Sequence, residues 1–269
     1  MRHTLILLAF ICTALLGTAQ TLAEEKVMEG KKQFSKGDFD DAISTYTKAI
    51  QLDSSYAQAW LERGRAYQEI KQADKAIADY TTCLVYDKKN ITAHMQRGGI
   101  LVSKELYQNA IVDFTHITTI DSNNANAYYM RASCYIALGQ PANAIKDYTS
   151  CIAKGKATQV VYYQRARAHE SIGLSQEALQ DYNTAIIIMP NYEQAYLGRG
   201  MLLLTLRMFD KAVKDLNFYI DKHGKEGKAY YYRAKAYDGL NNKILACKDY
   251  QKAIDLGFLN IKEKPAICQ

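Results

Sequence analysis

The sequence predicts an all-α fold built from repeated antiparallel helix pairs. Three observations lead to this prediction. An alanine recurs every 34 residues with no insertion or deletion across seven copies. Each 34-residue unit holds two apolar stripes with the i, i+3, i+4, i+7 spacing of amphipathic helices. The 269 residues include only three prolines and 15 glycines, so few positions interrupt a helix.

The period defines the repeats. When Ala57 is position 1, small or aromatic residues fall at positions 4, 8 and 11, and again at 20, 24 and 27, with turn residues between. Each repeat therefore predicts two helices of about 12–14 residues, and small side chains at positions 8 and 20 allow them to approach closely. The seven predicted repeats, within residues 23–256, are 23–56, 57–90, 91–124, 125–158, 159–192, 193–226 and 227–256.

In the second repeat, positions 4, 8, 11, 20 and 24 hold Trp60, Gly64, Tyr67, Ala76 and Tyr80. This pattern resembles the tetratricopeptide repeat (TPR), a helix–turn–helix unit of the same length. The resemblance implies a right-handed superhelical solenoid whose first helices line a concave groove for an extended peptide or a partner helix. The carboxylate-clamp subclass of that family is excluded, because position 5 holds no lysine and position 9 no asparagine in any repeat.

Residues 1–19 differ from the rest of the chain. A short basic start precedes an apolar run from Thr4 to Leu16, and Gly17 and Ala19 are small residues before Gln20. This pattern predicts a secretory signal peptide cleaved before Gln20. The run is shorter than the roughly 20 residues that span a bilayer, so membrane contact is expected only if the signal stays uncleaved. The predicted location is periplasmic or secreted, with a bacterial periplasm preferred.

The carboxyl-terminal segment, residues 257–269, is too short for another helix pair. We expect Phe258, Leu259 and Ile261 to fold back as a cap on the seventh repeat. Five cysteines remain after the signal, and their spacing matches no zinc-binding pattern. An odd number leaves at least one free thiol or an intermolecular bond, and most are expected to be small buried residues. They are Cys83, Cys134, Cys151, Cys247 and Cys268.

An arginine at position 7 and an aspartate at position 23 recur together in repeats two to seven. The first repeat has Glu29 and Thr45 there and lacks both partners, so only pairing within each repeat leaves no orphaned charge. The predicted role is to fix hairpin register, with replacement of the arginine milder than loss of the aspartate. A row of arginines that binds an acidic ligand is the competing hypothesis. The predicted pairs are Arg63–Asp79, Arg97–Asp113, Arg131–Asp147, Arg165–Asp181, Arg199–Asp215 and Arg233–Asp249.

The family resemblance assigns positions 5 and 9 to the concave surface. An apolar and aromatic row at position 5, beside mixed charges, suits a peptide or a partner helix. Two other uses stay open: a structural subunit of a cell-envelope or secretion assembly that uses the convex face or the ends, and a glycan or polymer binder that uses the tyrosines. The predicted partner-binding residues are Leu61, Arg65, Met95, Tyr129, Ser133, Tyr163, Arg167, Leu197, Met201, Tyr231 and Lys235.

Composition and motifs argue against several other functions. The net charge of +6 comes from dispersed lysines and arginines, so nucleic acid is not an expected partner. The histidines after the signal, His94, His116, His169 and His223, occupy unrelated positions. No catalytic arrangement, phosphate-binding loop or metal motif can be read from them. We therefore predict a protein that is not an enzyme, with no cofactor, no metal and a protein or peptide partner.

Overall fold

The computed structural model of the protein describes residues 2–258, 260 and 268, with side chains described from Thr18 onward except Ala19. These residues form α-helices joined by short turns and contain no strand, so the all-α prediction is confirmed. The helices are α1 Arg2–Lys36, α2 Phe39–Leu52, α3 Ala57–Glu69, α4 Ala73–Tyr86, α5 Ile91–Ser103, α6 Tyr107–Ile120, α7 Ala125–Ala137, α8 Pro141–Ala153, α9 Gln159–Ser171, α10 Ser175–Ile188, α11 Glu193–Thr205, α12 Phe209–Lys222, α13 Gly227–Gly239 and α14 Lys243–Asp255.

The chain divides into two compact units, Met1–Cys134 and Tyr135–Gln269. In the first unit, α1 packs against α2, α3 against α4, and α5 against α6. In the second unit, the pairs are α9 with α10, α11 with α12, and α13 with α14. Within each unit the first helices of neighbouring repeats also touch, as α1 with α3, α9 with α11, and α11 with α13. In these repeats the first helices therefore lie side by side.

Every turn between the two helices of a repeat uses a left-handed residue at position 15. Three of these residues are glycine, for which a positive φ carries no steric cost. In the turn after α3, the backbone N–H of Gln72 donates to the carbonyl of Tyr67 at 2.8 Å, which is the bond that closes a Schellman cap. The position-15 residues are Gly37, Lys71, Glu105, Gly139, Gly173, Arg207 and Asn241.

Small residues at position 8 let the paired helices approach as predicted. At Gly64, an added Cβ would lie 2.9 Å from the ring of Tyr80, and at Gly98 it would lie 2.9 Å from the ring of Phe114. These distances are below ordinary contact, so the ring at position 24 packs directly on the backbone of the first helix. Position 24 is buried in every repeat, and it is a ring in all of them except the sixth, where it is Leu216.

The two ends of the chain depart from a plain repeat. Helix α1 continues through the segment predicted as a signal peptide, and none of the described helices is long and apolar enough to cross a membrane. At the other end, the ring of Phe258 lies 5.5 Å from that of Tyr231. The remaining residues of the expected cap, Leu259 and Ile261, lie outside the described residues.

A disulfide joins Cys247 of α14 to Cys268, with 5.3 Å between their Cα atoms. Cys268 packs beside the buried cluster of Ala234, Ala246 and Tyr250. The bond therefore ties the carboxyl-terminal segment to the seventh repeat. Three further cysteines are buried free thiols, as expected for small core residues: Cys83, Cys134 and Cys151.

Candidate functional site

The arginines at position 7 form bidentate ion pairs with the aspartates at position 23 of the same repeat. In the second repeat, Arg63 Nε and Nη2 each donate to a different carboxylate oxygen of Asp79, both at 2.8 Å. The same geometry recurs at Arg97–Asp113, Arg165–Asp181, Arg199–Asp215 and Arg233–Asp249. Arg131 and Asp147 belong to different compact units, and their pairing stays a prediction.

Each arginine also reaches back to the preceding repeat, which the sequence analysis missed. The third donor, Nη1, bonds a hydroxyl or amide oxygen at position 25: Arg63 reaches Thr47 at 3.0 Å and Arg199 reaches Asn183 at 2.7 Å. The arginine is thus a clamp between repeats as well as within one. The sequence does contain a pattern that indicates this contact, because position 25 is threonine or asparagine in the first six repeats: Thr47, Thr81, Thr115, Thr149, Asn183 and Asn217.

The two partners of each pair are buried to different extents, and this difference bears on the expected order of mutational effects. The aspartate side chains are 1–8% exposed, whereas their arginine partners are 15–20% exposed. Removing an arginine orphans the more deeply buried charge, so on this geometry we expect its loss to be the costlier change, the reverse of the order expected from the sequence. Burial acts to raise the pKa of the Asp113 carboxyl, but hydrogen bonds from His94 and Arg97 hold it below its usual value.

In the first unit, one buried carboxylate binds both position-9 cations of the predicted groove. Glu62, only 4% exposed, accepts bonds from Lys31 and Arg65, both at 3.0 Å. Arg65 also lies over the ring of Phe34, 5.5 Å from its centroid. Arg65, a predicted binding residue, is therefore partly exposed to solvent, but its guanidinium is already paired with Glu62.

The apolar row at position 5 is less exposed in the first unit than expected. Leu61 is 5% exposed and packs in the core with Tyr80 and Ala93, so a groove ligand has little access to it. This departs from the expected open row because neighbouring first helices cover the position. Met95, Tyr129 and Ser133 are half-buried, and Ser133 Oγ donates to the carbonyl of Tyr129 at 3.0 Å.

In the second unit, the position-5 tyrosines of the predicted groove pack against other rings. Tyr163 lies 5.9 Å from Tyr182 and 5.5 Å from Tyr192, measured between ring centroids. Tyr231 packs near Tyr250 at 6.1 Å and lies under the ammonium of Lys235 at 5.5 Å. Both position-5 tyrosines remain half-buried, as do Leu197 and Met201.

A hydroxyl rather than a cation holds the groove carboxylate of the second unit. Tyr182 donates its hydroxyl proton to Glu170 in a short hydrogen bond. Burial raises the pKa of the Glu170 carboxyl, against the lowering effects of this bond and of the Arg167 charge. Arg167 itself is exposed and forms no ion pair with the described residues.

Beside Arg167, the second unit has a cavity of about 350 Å³. Its lining combines the apolar side chains of Ile136, Pro141 and Ala168 with the polar side chains of Gln164, Arg167 and Ser171. A pocket that combines apolar surface with a few polar groups suits one side chain of a bound peptide. Among the described residues, no group of three or more histidine, cysteine, aspartate or glutamate side chains is arranged to hold a metal ion.

Comparison with family models agrees with this architecture. A model described as "TPR repeat" matches residues 30–71, and one described as "Tetratricopeptide repeat" matches residues 57–90 and 125–153. The paired helices continue this pattern beyond the matched segments. These matches and the helix pairs show that the chain contains tetratricopeptide repeats and has the TPR fold. No curated protein matches its sequence significantly.

Solved TPR structures share the fold of this TPR protein at low sequence identity. The carboxyl-terminal part of a TPR repeat-containing protein from Cytophaga hutchinsonii aligns with a TM-score of 0.72 at 18% identity, covering 88% of this chain and 97% of that one. A TPR protein from Parabacteroides merdae gives 0.61 at 20%, covering 91% and 97%. YrrB, described as a TPR protein with an unusual peptide-binding site, gives 0.59 at 20%, covering 77% and 97%.

Proposed function

We propose that this TPR protein is an exported, non-enzymatic interaction scaffold that binds a peptide segment or a partner helix in the groove formed by its first helices. The observation that carries the proposal is the set of half-buried tyrosines beside unpaired cations in the second unit. Tyr163 and Tyr231 offer rigid apolar surface with a polar edge, which suits a surface that must be both wettable and adhesive.

The neighbouring polar groups suit a peptide in particular. Arg167 provides a free guanidinium for a backbone carbonyl or a carboxylate, and the adjoining cavity of about 350 Å³ accepts a side chain. Lys235 offers a second cation above Tyr231. The description of YrrB as a peptide-binding TPR protein supports this use of the fold.

Photocrosslinking tests the groove directly. A benzophenone amino acid at position 163 should trap a partner protein, whereas the same amino acid at position 244 should not, because Ile244 is 83% exposed on the second helix of its repeat. Arg167→Gln should weaken capture of the trapped partner, while Arg207→Gln, in an exposed turn, should not. Capture from position 244 alone would contradict groove binding.

Export is the second part of the proposal. Disulfides persist in oxidising compartments, and the bond between Cys247 and Cys268 is consistent with one. The apolar amino-terminal run supports the same conclusion. Cell fractionation with sequencing of the mature amino terminus should find the protein outside the cytoplasm and beginning at Gln20. Recovery of the full-length chain in the cytoplasm with Cys247 and Cys268 reduced would contradict export.

One observation favours a second function, as a structural subunit of an assembly. At the end of α10, Ile187 is 78% exposed and is followed by the partly exposed Ile188 and Met189. Contiguous exposed apolar residues are typical of interaction surfaces. If this surface binds a partner, Ile187→Asp should abolish co-sedimentation of an assembly while leaving crosslinking from position 163 unchanged. Unchanged co-sedimentation would exclude this surface.

A further inference from the structure

The second unit contains a cavity that lies away from the groove. It has a volume of about 250 Å³ and opens between α10, α11 and α12, beside the pair formed by Arg199 and Asp215. Its walls include three apolar side chains, and two lysines from α12 stand at its edge. The residues that matter here are Leu179, Leu203, Met208, Lys211 and Lys214.

The cavity exists because a ring is missing at position 11. In the second repeat that position is Tyr67, which lies 5.7 Å from the Arg63 guanidinium and 5.3 Å from the ammonium of Lys75. In the seventh repeat Tyr237 lies 5.9 Å from Arg233 in the same way. In the sixth repeat the position is Leu203, whose side chain is shorter, so the space beside Arg199 is left open.

The charge at the opening is positive. Arg199 is neutralised by Asp215, but Lys211 and Lys214 form no ion pair or hydrogen bond with the described residues. The third repeat also has leucine at position 11, Leu101, but its equivalents of the two lysines are the uncharged Asn109 and Val112. The sixth repeat alone combines an absent ring with two free ammonium groups.

We propose that this cavity binds an aromatic ring that carries a carboxylate. The ring takes the place that Tyr67 and Tyr237 occupy in their repeats, and the carboxylate lies between Lys211 and Lys214. The size is suitable, because an apolar cavity of about 150 Å³ is enough to hold benzene. The bound ring also gains the cation–π contact that Lys75 makes with Tyr67. The carboxylate comes either from a small aryl acid or from the chain end of a protein that terminates in phenylalanine.

Methyl NMR of the full chain tests the proposal. With ¹³C-methyl methionine, the Met208 signal should shift saturably when 3-phenylpropionate is added, through the ring current of the bound ligand. 3-Phenylpropionamide has the same ring without the charge and should bind more weakly. Lys211→Gln and Lys214→Gln should each weaken binding of the acid by about fivefold at most, as expected for partly exposed charges.

Leu203→Tyr is the decisive variant. It restores the ring found at this position in the second, fourth and seventh repeats, so it fills the cavity with a side chain that the repeat accommodates. Binding of 3-phenylpropionate should be lost while the melting temperature is maintained. Tyr237→Leu is the matched variant, and it should open a similar space beside Lys248 and create a second, weaker site.

Two peptides distinguish the sources of the carboxylate. A peptide ending in phenylalanine with a free carboxylate should displace 3-phenylpropionate if the ligand is a chain end, whereas failure to displace it assigns the site to a small acid. An amidated version is the control. The proposal is overturned if Met208 does not respond to the acid, if the amide binds equally well, or if binding survives in Leu203→Tyr.

Discussion

The two compact units hold cations at position 9 of their repeats and treat them in opposite ways. In the first unit, Lys31 and Arg65 both bond the buried carboxylate of Glu62. In the second unit, Arg167 and Lys235 are exposed and form no ion pair with the described residues. The backbone is the same, so the position of the carboxylate makes the difference.

The position of the carboxylate within its repeat determines which group it contacts. Glu62 is at position 6, where it faces the cations of its own and the preceding repeat. Glu170 is at position 12, where it meets the hydroxyl of Tyr182 instead. The equivalent hydroxyl in the second repeat, that of Tyr80, donates to Gln68 at 3.0 Å. The polar contacts at positions 6, 9 and 12 therefore vary from repeat to repeat, while the arginine clamps stay constant in both units.

The largest expected effect tests that constancy. Arg63→Leu in the first unit and Arg233→Leu in the second should each destabilise by about 3–5 kcal/mol, because each orphans a buried aspartate. Asp79→Ala and Asp249→Ala should cost less, since the arginines are partly exposed. Urea unfolding followed by circular dichroism measures all four. A larger loss for the aspartate variants, or unequal losses in the two units, would contradict the clamp model.

The next largest effect concerns Gly198, which leaves room for the Tyr182 ring that bonds Glu170. At Gly198 an added Cβ would lie 2.7 Å from the Tyr182 ring, so Gly198→Ala should destabilise by about 1–3 kcal/mol through overpacking. In the first unit, a Cβ at Gly99 meets nothing within 4 Å. Gly99→Ala should therefore stabilise its helix by about 0.5–1 kcal/mol. Thermal melts of the two variants should shift in opposite directions, and a shift in the same direction would rule this out.

A smaller effect separates the two groove carboxylates. Glu62→Gln removes charge-assisted bonds to Lys31 and Arg65, which are half-exposed, so we expect a loss of about 1 kcal/mol. Glu170→Gln keeps an acceptor for the Tyr182 hydroxyl, and its effect should stay within about 0.5 kcal/mol. Chemical denaturation at low and high salt provides the measurement. If Glu170→Gln proved the costlier change, the contrast between the units would fail.

The smallest effect is a pH dependence that arises from His169 in the second unit. Burial lowers the pKa of His169 below its usual 6.5, with opposing effects from Asp181 and a further lowering by Arg165. The unfolded chain therefore binds the proton first, so this contribution is fully present above pH 6.5 and is lost as the pH falls through the lower folded value. His169→Tyr, which has the residue of other repeats at that position, should lose less stability than the wild type between pH 7.5 and 5. Urea unfolding at a series of pH values provides the measurement, and the same loss of unfolding free energy in both proteins would contradict this prediction.

Much of the fold followed from periodicity. Helices α3, α5, α7, α9, α11 and α13 begin at position 1 of their predicted repeats, because a strict 34-residue period fixes where each apolar stripe starts. The arginine–aspartate partners could be named because the first repeat lacks both. The burial of Leu61 could not be foreseen, since periodicity gives the face of a residue but not how far the neighbouring helix covers that face.

The 34-residue period was enough to predict how many helix pairs form, how long they are, which small residues lie at their contacts and which aspartates most position-7 arginines bind. Which charges are free depends on how the folded chain packs. Arg65 and Arg167 occupy the same position of their repeats, and their neighbours in space make one of them engaged and the other available. The cavity beside Leu203 has the same origin. A leucine replaces the tyrosine of other repeats there, and the smaller side chain leaves a cavity because packed helices surround the space.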